Sequence, residues 1–223
     1  MLYTGPMFIG SNQEQEELIY DTGSDWLVIE GADCRSCWGS NYNATASTSW
    51  EADAEPKMDT LMYGSAYIEG MTGTDDVCLD NAQSNCVNKQ EIFLVDYQFG
   101  LPPDTDGILG LCHGGELDFD NISDYADSDD EEEEEESDDD EDEDGGRRGR
   151  GDRIEDYVEG ALFTNGLFDG EKITENSFSF YLADDKQDSY VDFGPPRATG
   201  MKNAEDLVYL SVEDHFFWLG EWQ

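Results

Sequence analysis

Short apolar runs alternate along this chain with clusters of small polar residues, and through residue 112 their spacing is that of strands. The runs MFIG, EELIY, WLVIE, TLMYGSAYIEG, EIFLVDY and GILGL are rich in Val, Ile, Tyr and Phe, and Gly, Asn, Asp or Ser clusters break them. They predict an all-β region over residues 3–112. Few segments before residue 153 repeat apolar positions at a helical interval. Beyond it, Ile154, Tyr157, Val158, Ala161 and Leu162 fall on one face of a predicted helix ending near Asn165-Gly166. FSFYLA (178–183) and YVDFG (190–194) predict two more strands. VYLSVEDHFFWLGEW then opens another β segment, which is expected to continue past Gln223.

Within this pattern ELIYDTGSDWLVIE, residues 17–30, places an acid where ionisation costs most. Asp21 sits on the small turn Asp21-Thr22-Gly23-Ser24, between two runs that read as buried strands. Either the turn surfaces and the carboxylate is solvated, or Asp21 is a functional group held in a cleft.

Charge narrows the partners. The 223 residues carry 55 acids against 11 bases, a net −44, so nucleic acid would be repelled. With 37% hydrophobic residues the chain can still build a core. No apolar run approaches the ~20 residues of a membrane helix. Met1 leads straight into LYTGPMFIG, so a secretory leader is expected to lie outside this chain. Sixteen of the eighteen positions over 127–144 are Asp or Glu, which predicts a disordered insertion over about 118–152. Arg147, Arg148, Arg150 and Arg153 follow it and partly offset its charge. Calcium bound by the acidic run would be loose, because no loop spacing forms a cage.

The cysteines stand at 34, 37, 78, 86 and 112. Two close pairs and one leftover suit local disulfides, Cys34–Cys37 and Cys78–Cys86, made in an oxidising compartment. Cys112 is an alternative partner for Cys34 or Cys37. A zinc site on Cys34-x-x-Cys37 is the rival reading, and His113 and His215 are the only histidines available to complete it. The sequons at Asn43 and Asn121 also fit a secretory route.

Four features line up in order: Phe8-Ile9-Gly10 followed by the Asp21-Thr22-Gly23-Ser24 turn, Tyr63-Gly64-Ser65 on a predicted hairpin LMYGSAYIEG, Asp106-Gly107-Ile108-Leu109-Gly110-Leu111, and a helix followed by FSFYL. This series resembles the N-terminal lobe of the pepsin-like aspartic proteases over nearly the whole chain outside the acidic insertion. The resemblance implies a bent β-sandwich, barrel-like lobe with one or two short helices over residues 1–204, with 205–223 starting the sheet that leads into a second lobe. It implies that Asp21 is one catalytic carboxylate and that Thr22, Gly23 and Ser24 support it. Thr22 would tie the loop to its partner loop, Gly23 would donate a backbone N–H, and Ser24 would bond an outer oxygen of Asp21. Tyr63, Gly64 and Ser65 would form the flap over the substrate. Ile108, Leu109 and Gly110 would form the strand threaded beneath the catalytic loop. Asp106 reads as a turn former, and Trp26 and Trp38 as packing residues. Val28 stands where many members carry a tryptophan that bonds the flap tyrosine.

Such enzymes need no metal or cofactor. Two facing carboxylates share one proton, and the ionised one activates a water while the protonated one polarises the scissile carbonyl. A peptide or protein is the implied substrate, and a second lobe of the same gene product is the implied partner. Asp21-Thr22-Gly23 is the only Asp-Thr/Ser-Gly triplet in the chain. The expected function is therefore acid-optimum endopeptidase activity in the complete protein, with one lobe represented here. A non-catalytic binding lobe and a symmetric dimer using two copies of Asp21 are the alternatives. The expected location is the secretory pathway, either secreted or in an acidic vacuole or lysosome.

Overall fold

A computed structural model describes residues 2–39, 41–54, 58–63, 66–114, 160–183, 189–198, 203, 208–212 and 218. The predicted β region forms as expected. Strands β1 (Thr4–Ile9) and β2 (Glu14–Asp21) make an antiparallel pair with Thr4 opposite Ile19 and Ile9 opposite Glu14. Gly10, at φ +74°, turns the chain between them, and a Cβ there would lie 2.5 Å from the Tyr42 hydroxyl. Glycine satisfies both the backbone angle and the close approach. Next come β3 (Leu27–Glu30), β4 (Glu51–Ala52), β5 (Asp59–Met62), β6 (Tyr67–Cys78), β7 (Cys86–Phe99) and β8 (Gly107–Gly110).

The sheet order is β1-β2-β8-β3-β7-β6-β4, with β5 also on β6. Phe8 opposite Cys78 and Ile9 opposite Val77 join β1 to β6, closing six strands into a ring. Closure leaves fewer unpaired edges than an open sheet of the same strands. One core fills the ring with Met7, Ile9, Leu18, Leu27, Ile29, Ile92, Leu109 and Leu111. Strand alternation sends Ile19, Val28, Ile68, Phe93, Val95 and Ile108 to a second core with Trp26. Both faces of β3 and β8 are therefore buried, which is why WLVI and GILGL read as continuous apolar runs.

Helix α1 (Phe163–Asp169) caps the first core through Phe163 and Leu167. Its limits differ from those predicted. Ala161 and Leu162 precede it, because the backbone there bonds to neighbours instead: Gly160 N–H donates to Asp25 and Ala161 C=O accepts from Gln90 Nε2. The helix also runs through Asn165-Gly166 rather than ending there. A Cβ at Gly166 would lie 2.5 Å from a Val87 methyl, so this glycine serves packing rather than termination. Ile154, Tyr157 and Val158 lie outside the described residues, as does the acidic run.

Strands β9 (Phe178–Tyr181) and β10 (Tyr190–Phe193) form a separate antiparallel pair, as predicted. Residues 208–212, expected to be β, form no strand; Val208 and Tyr209 are exposed there, and no described strand pairs with them. Cys34–Cys37 and Cys78–Cys86 are disulfides, which displaces the zinc reading, and Cys112 remains outside them as a buried thiol. Trp26 packs edge-on against Phe93 as expected, but Trp38 is 78% exposed and packs no core. No helix is long and apolar enough to cross a membrane among the described residues.

Candidate active site

The Asp21 turn is held from below by β8. That strand lies between β2, to which it is parallel, and β3, to which it is antiparallel, with Gly110 beside Asp21. Three successive amides then secure the turn. Gly110 N–H donates to Trp26 C=O at 2.9 Å, Leu111 N–H to Asp21 C=O at 2.7 Å, and Cys112 N–H to Ser24 C=O at 2.9 Å. The approach is close: a Cβ on Gly110 would lie 2.5 Å from the Asp25 carbonyl carbon and 2.7 Å from Ser24 O. Ile108, two residues back, faces the cleft, while Leu109 enters the ring core.

Asp21 is half-buried, and its Oδ1 accepts from Gly23 N–H at 3.0 Å, the bond expected of that glycine. Thr22 and Gly23 are exposed at the cleft. Ser24 departs from expectation. Its hydroxyl is buried and makes no hydrogen bond to Asp21 or to any other described group. Instead it lies beside the Tyr63 phenol, near enough to influence that group's ionisation without completing a bond.

Tyr63 stands at the end of the β5–β6 hairpin, where it exchanges two backbone hydrogen bonds with Ala66. Its ring packs against the second core, which contains Trp26 and Val28, so apolar contact takes the place of a tryptophan's hydrogen bond. Burial pushes the phenol pKa well up, and the negative charges of Asp25 and then Asp21 push it further. Tyr63 is thus a permanent hydrogen-bond donor at the cleft. Gly64 and Ser65 lie outside the described residues.

Asp21, Thr22, Gly23 and Tyr63 line one cleft of about 850 Å³, walled by Ile19, Ala66, Leu101, Pro102 and Ile108. The arrangement offers one oriented carboxylate, one neutral donor lining the same cleft, and apolar walls. It suits an extended chain with apolar side chains, presented to a carboxylate that can activate water. Among the described residues, no three His, Cys, Asp or Glu side chains converge to hold a metal.

Two further acids shape the site. Asp25 is 3% exposed, and its Oδ2 accepts from Gly160 N–H at 2.7 Å, joining the turn to the chain that returns after residue 159. Its place one residue before an apolar run was the available signal. Asp106 is a structural clasp, in keeping with its reading as a turn former. Its Oδ2 accepts from Glu17 N–H at 2.7 Å, and its carbonyl accepts from Glu30 N–H at 2.8 Å.

Comparison with known proteins agrees with this geometry. The sequence pattern of the eukaryotic aspartyl proteases matches residues 2–126. Pregnancy-associated glycoprotein 2 of Bos taurus is 33% identical over 115 residues, 49% of this chain and 29% of that protein. Aspartic proteinase A3 of Arabidopsis thaliana is 31% identical over 116 residues, 49% of this chain and 22% of its own length. Gastricsin of Callithrix jacchus is 29% identical over 117 residues, 50% of this chain and 29% of its own length. The matched part thus spans less than a third of each relative. In three dimensions, the aspartic proteinase of Irpex lacteus superposes with a TM-score of 0.57 at 21% identity, over 91% of this chain and 47% of that one, a likeness of fold. With the family pattern covering the ring, the Asp21 turn and the threaded β8, this chain belongs to the pepsin-like eukaryotic aspartyl proteases.

Proposed function

We propose that this chain is the N-terminal lobe of an aspartic endopeptidase and that Asp21 is one of its two catalytic carboxylates. The observation that carries the reading is the placement of Asp21. A half-buried carboxylate, bonded by Gly23 N–H, lies in a peptide-sized cleft with the neutral donor Tyr63. The second carboxylate would come from the part of the gene product that this chain does not span. Placed opposite Asp21, it would share one proton with it, because like charges so close do not both ionise. The ionised member takes a proton from water, the water attacks the scissile carbonyl, and the protonated member donates to the carbonyl oxygen. Proton return to the amine then expels the product. Thr22 ties the two loops, Tyr63 shields the reacting bond from solvent, and Leu101 and Ile108 take up apolar side chains beside it.

The two disulfides support folding in an oxidising compartment, and the acid chemistry fits a secreted or vacuolar setting. Residues 1–204 form the lobe in this reading, and 205–223 lead towards its partner. The test is cleavage of an unfolded protein substrate at about pH 4 by the complete gene product, a pH at which a carboxylate pair is part-protonated. Activity is expected in the wild type and absent in Asp21→Asn. Equal activity in the two proteins refutes the assignment. Tight peptide binding without turnover in the wild type would make this a binding lobe.

A further inference from the structure

Between β3 and β4 the chain crosses the surface as Tyr42-Asn43-Ala44-Thr45-Ala46, and the middle three residues are one of the two sequons, which the cleft does not use. The side chains alternate. Tyr42 is 1% exposed and Ala44 6% exposed, and both belong to the ring core, while Asn43 and Thr45 are exposed. The backbone is tied down as well. Ala46 N–H donates to Asn43 C=O at 3.0 Å, closing a single 3₁₀ turn (Ala44–Ala46). Asn43 N–H donates to Glu14 Oε2 at 3.0 Å, and Asn12 Nδ2 donates to Ala46 C=O at 2.9 Å, which joins the segment to the β1–β2 turn.

The carboxamide itself is oriented. Thr45 Oγ1 donates to Asn43 Oδ1 at 2.8 Å. The hydroxyl thus takes the accepting end of the amide, and Nδ2 keeps no protein partner among the described residues. An amide nitrogen is presented to solvent from a pinned turn, with its threonine already in contact. We propose that Asn43 carries an N-linked glycan, attached at Nδ2 from a lipid-linked oligosaccharide diphosphate. The inference rests on the oxidising, secretory route that the two disulfides support and not on the proposed proteolysis.

The transfer balances without a further reactant. The anomeric carbon of the sugar bonds to Nδ2, its bond to the diphosphate oxygen breaks with the electron pair leaving on the diphosphate, and Nδ2 gives up one proton. A glycan is bulky and strongly hydrated, so only a surface position accepts it. Asn43 meets that condition, because its neighbours Tyr42 and Ala44 fill the core and its own side chain does not. The position also leaves the cleft free. Glu14, which holds the Asn43 amide, begins β2, and Asp21 ends it; at about 3.3 Å per residue the strand between them spans ~20 Å. Asn121, in the second sequon, lies outside the described residues.

The experiment is peptide mass spectrometry of the complete gene product secreted from a eukaryotic cell, in the wild type, Thr45→Ser and Thr45→Ala. The protein is treated with peptide-N-glycosidase in heavy-oxygen water, which turns a glycosylated asparagine into an oxygen-labelled aspartate, and a sample without the glycosidase controls for spontaneous deamidation. Most of the peptide containing Asn43 is expected to be labelled in the wild type and in Thr45→Ser, which keeps the hydroxyl, and none of it in Thr45→Ala. An unlabelled Asn43 in the wild type overturns the proposal, and so does equal labelling in Thr45→Ala. Should Thr45→Ala not be secreted, the wild-type peptide decides alone. Reading that peptide separates Asn43 from a glycan at Asn121, which the total mass would not do.

Discussion

Gly110→Ala isolates the support beneath Asp21. The added Cβ would lie 2.5 Å from the Asp25 carbonyl carbon, 2.7 Å from Ser24 O and 2.7 Å from Trp26 N. All three are backbone atoms and cannot swing aside as a side chain would. Either β8 moves away from the turn or the turn moves away from β8. Forced overpacking of this kind costs about 1–3 kcal/mol. The displacement also weakens the bonds from Gly110, Leu111 and Cys112 to the turn, and losing one or two of them adds ~0.5–1.5 kcal/mol each. Together these come to about 1.5–6 kcal/mol, a large share of the ~5–15 kcal/mol that holds a domain. Urea unfolding gives the stability change, and amide exchange at Leu111 and Cys112 shows where it arises. A useful comparison is Leu109→Ala, which empties part of the ring core and costs ~2–5 kcal/mol without pressing on the turn. The reasoning predicts faster local exchange at Leu111 and Cys112 in Gly110→Ala than in Leu109→Ala at matched stability. A Gly110→Ala protein within ~0.5 kcal/mol of wild type, with unchanged exchange, refutes it.

Three further outcomes are expected. Replacing Cys78 and Cys86 together by alanine releases an eight-residue separation and costs about 2–3 kcal/mol in urea unfolding, with little effect expected on the Asp21 turn. Tyr42→Phe removes a donor from Asp75, which is fully buried and also bonded by Ser47, Ser49 and Asp76 N–H; calorimetry is expected to show a loss of ~1–3 kcal/mol. In the complete protein, Tyr63→Phe keeps the ring packing and is expected to lower kcat about tenfold with KM little changed, whereas Tyr63→Ala raises KM as well.

Much of the fold was legible because strands write their burial into the sequence at period two. The runs from MFIG to GILGL became the ring, and the polar turn between LIY and WLVI became the Asp21 loop. Disulfide pairing followed from cysteine spacing. The threading of Ile108-Leu109-Gly110 under the turn was not legible from periodicity, since parallel pairing of β2 with β8 joins positions 89 residues apart, as with Leu18 and Gly107. It came from the family resemblance. The helix limits failed for a local reason. Asn165-Gly166 has the chemistry of a stop, but contact with Val87 required a glycine inside the helix. Trp38 failed because aromatic character alone does not place a side chain in a core.

The buried acids were the deeper miss. Glu16 lies in phase with Leu18 on β2, so alternation pointed it inward while its charge argued outward. Asp75 lies in phase with Val77 in the same way. In both places position overrode residue type. Hydroxyl and amide donors satisfy Asp75, whereas Glu16 is left with an unpartnered oxygen. Ser24 shows the converse, since a motif residue expected to bond Asp21 turns towards Tyr63.

The central claim is that Asp21 is half of a proton-sharing carboxylate pair. Its most direct test is the affinity of the complete gene product, at about pH 4, for a peptide whose scissile carbonyl is replaced by a tetrahedral hydroxyl, since such mimics bind ~10²–10⁸-fold tighter than substrates where the pair exists. The account predicts tight binding by the wild type, weakening as pH rises through the ionisation of the pair, and a loss of at least ~10²-fold in Asp21→Asn. Equal affinity of the two proteins for that mimic would contradict it.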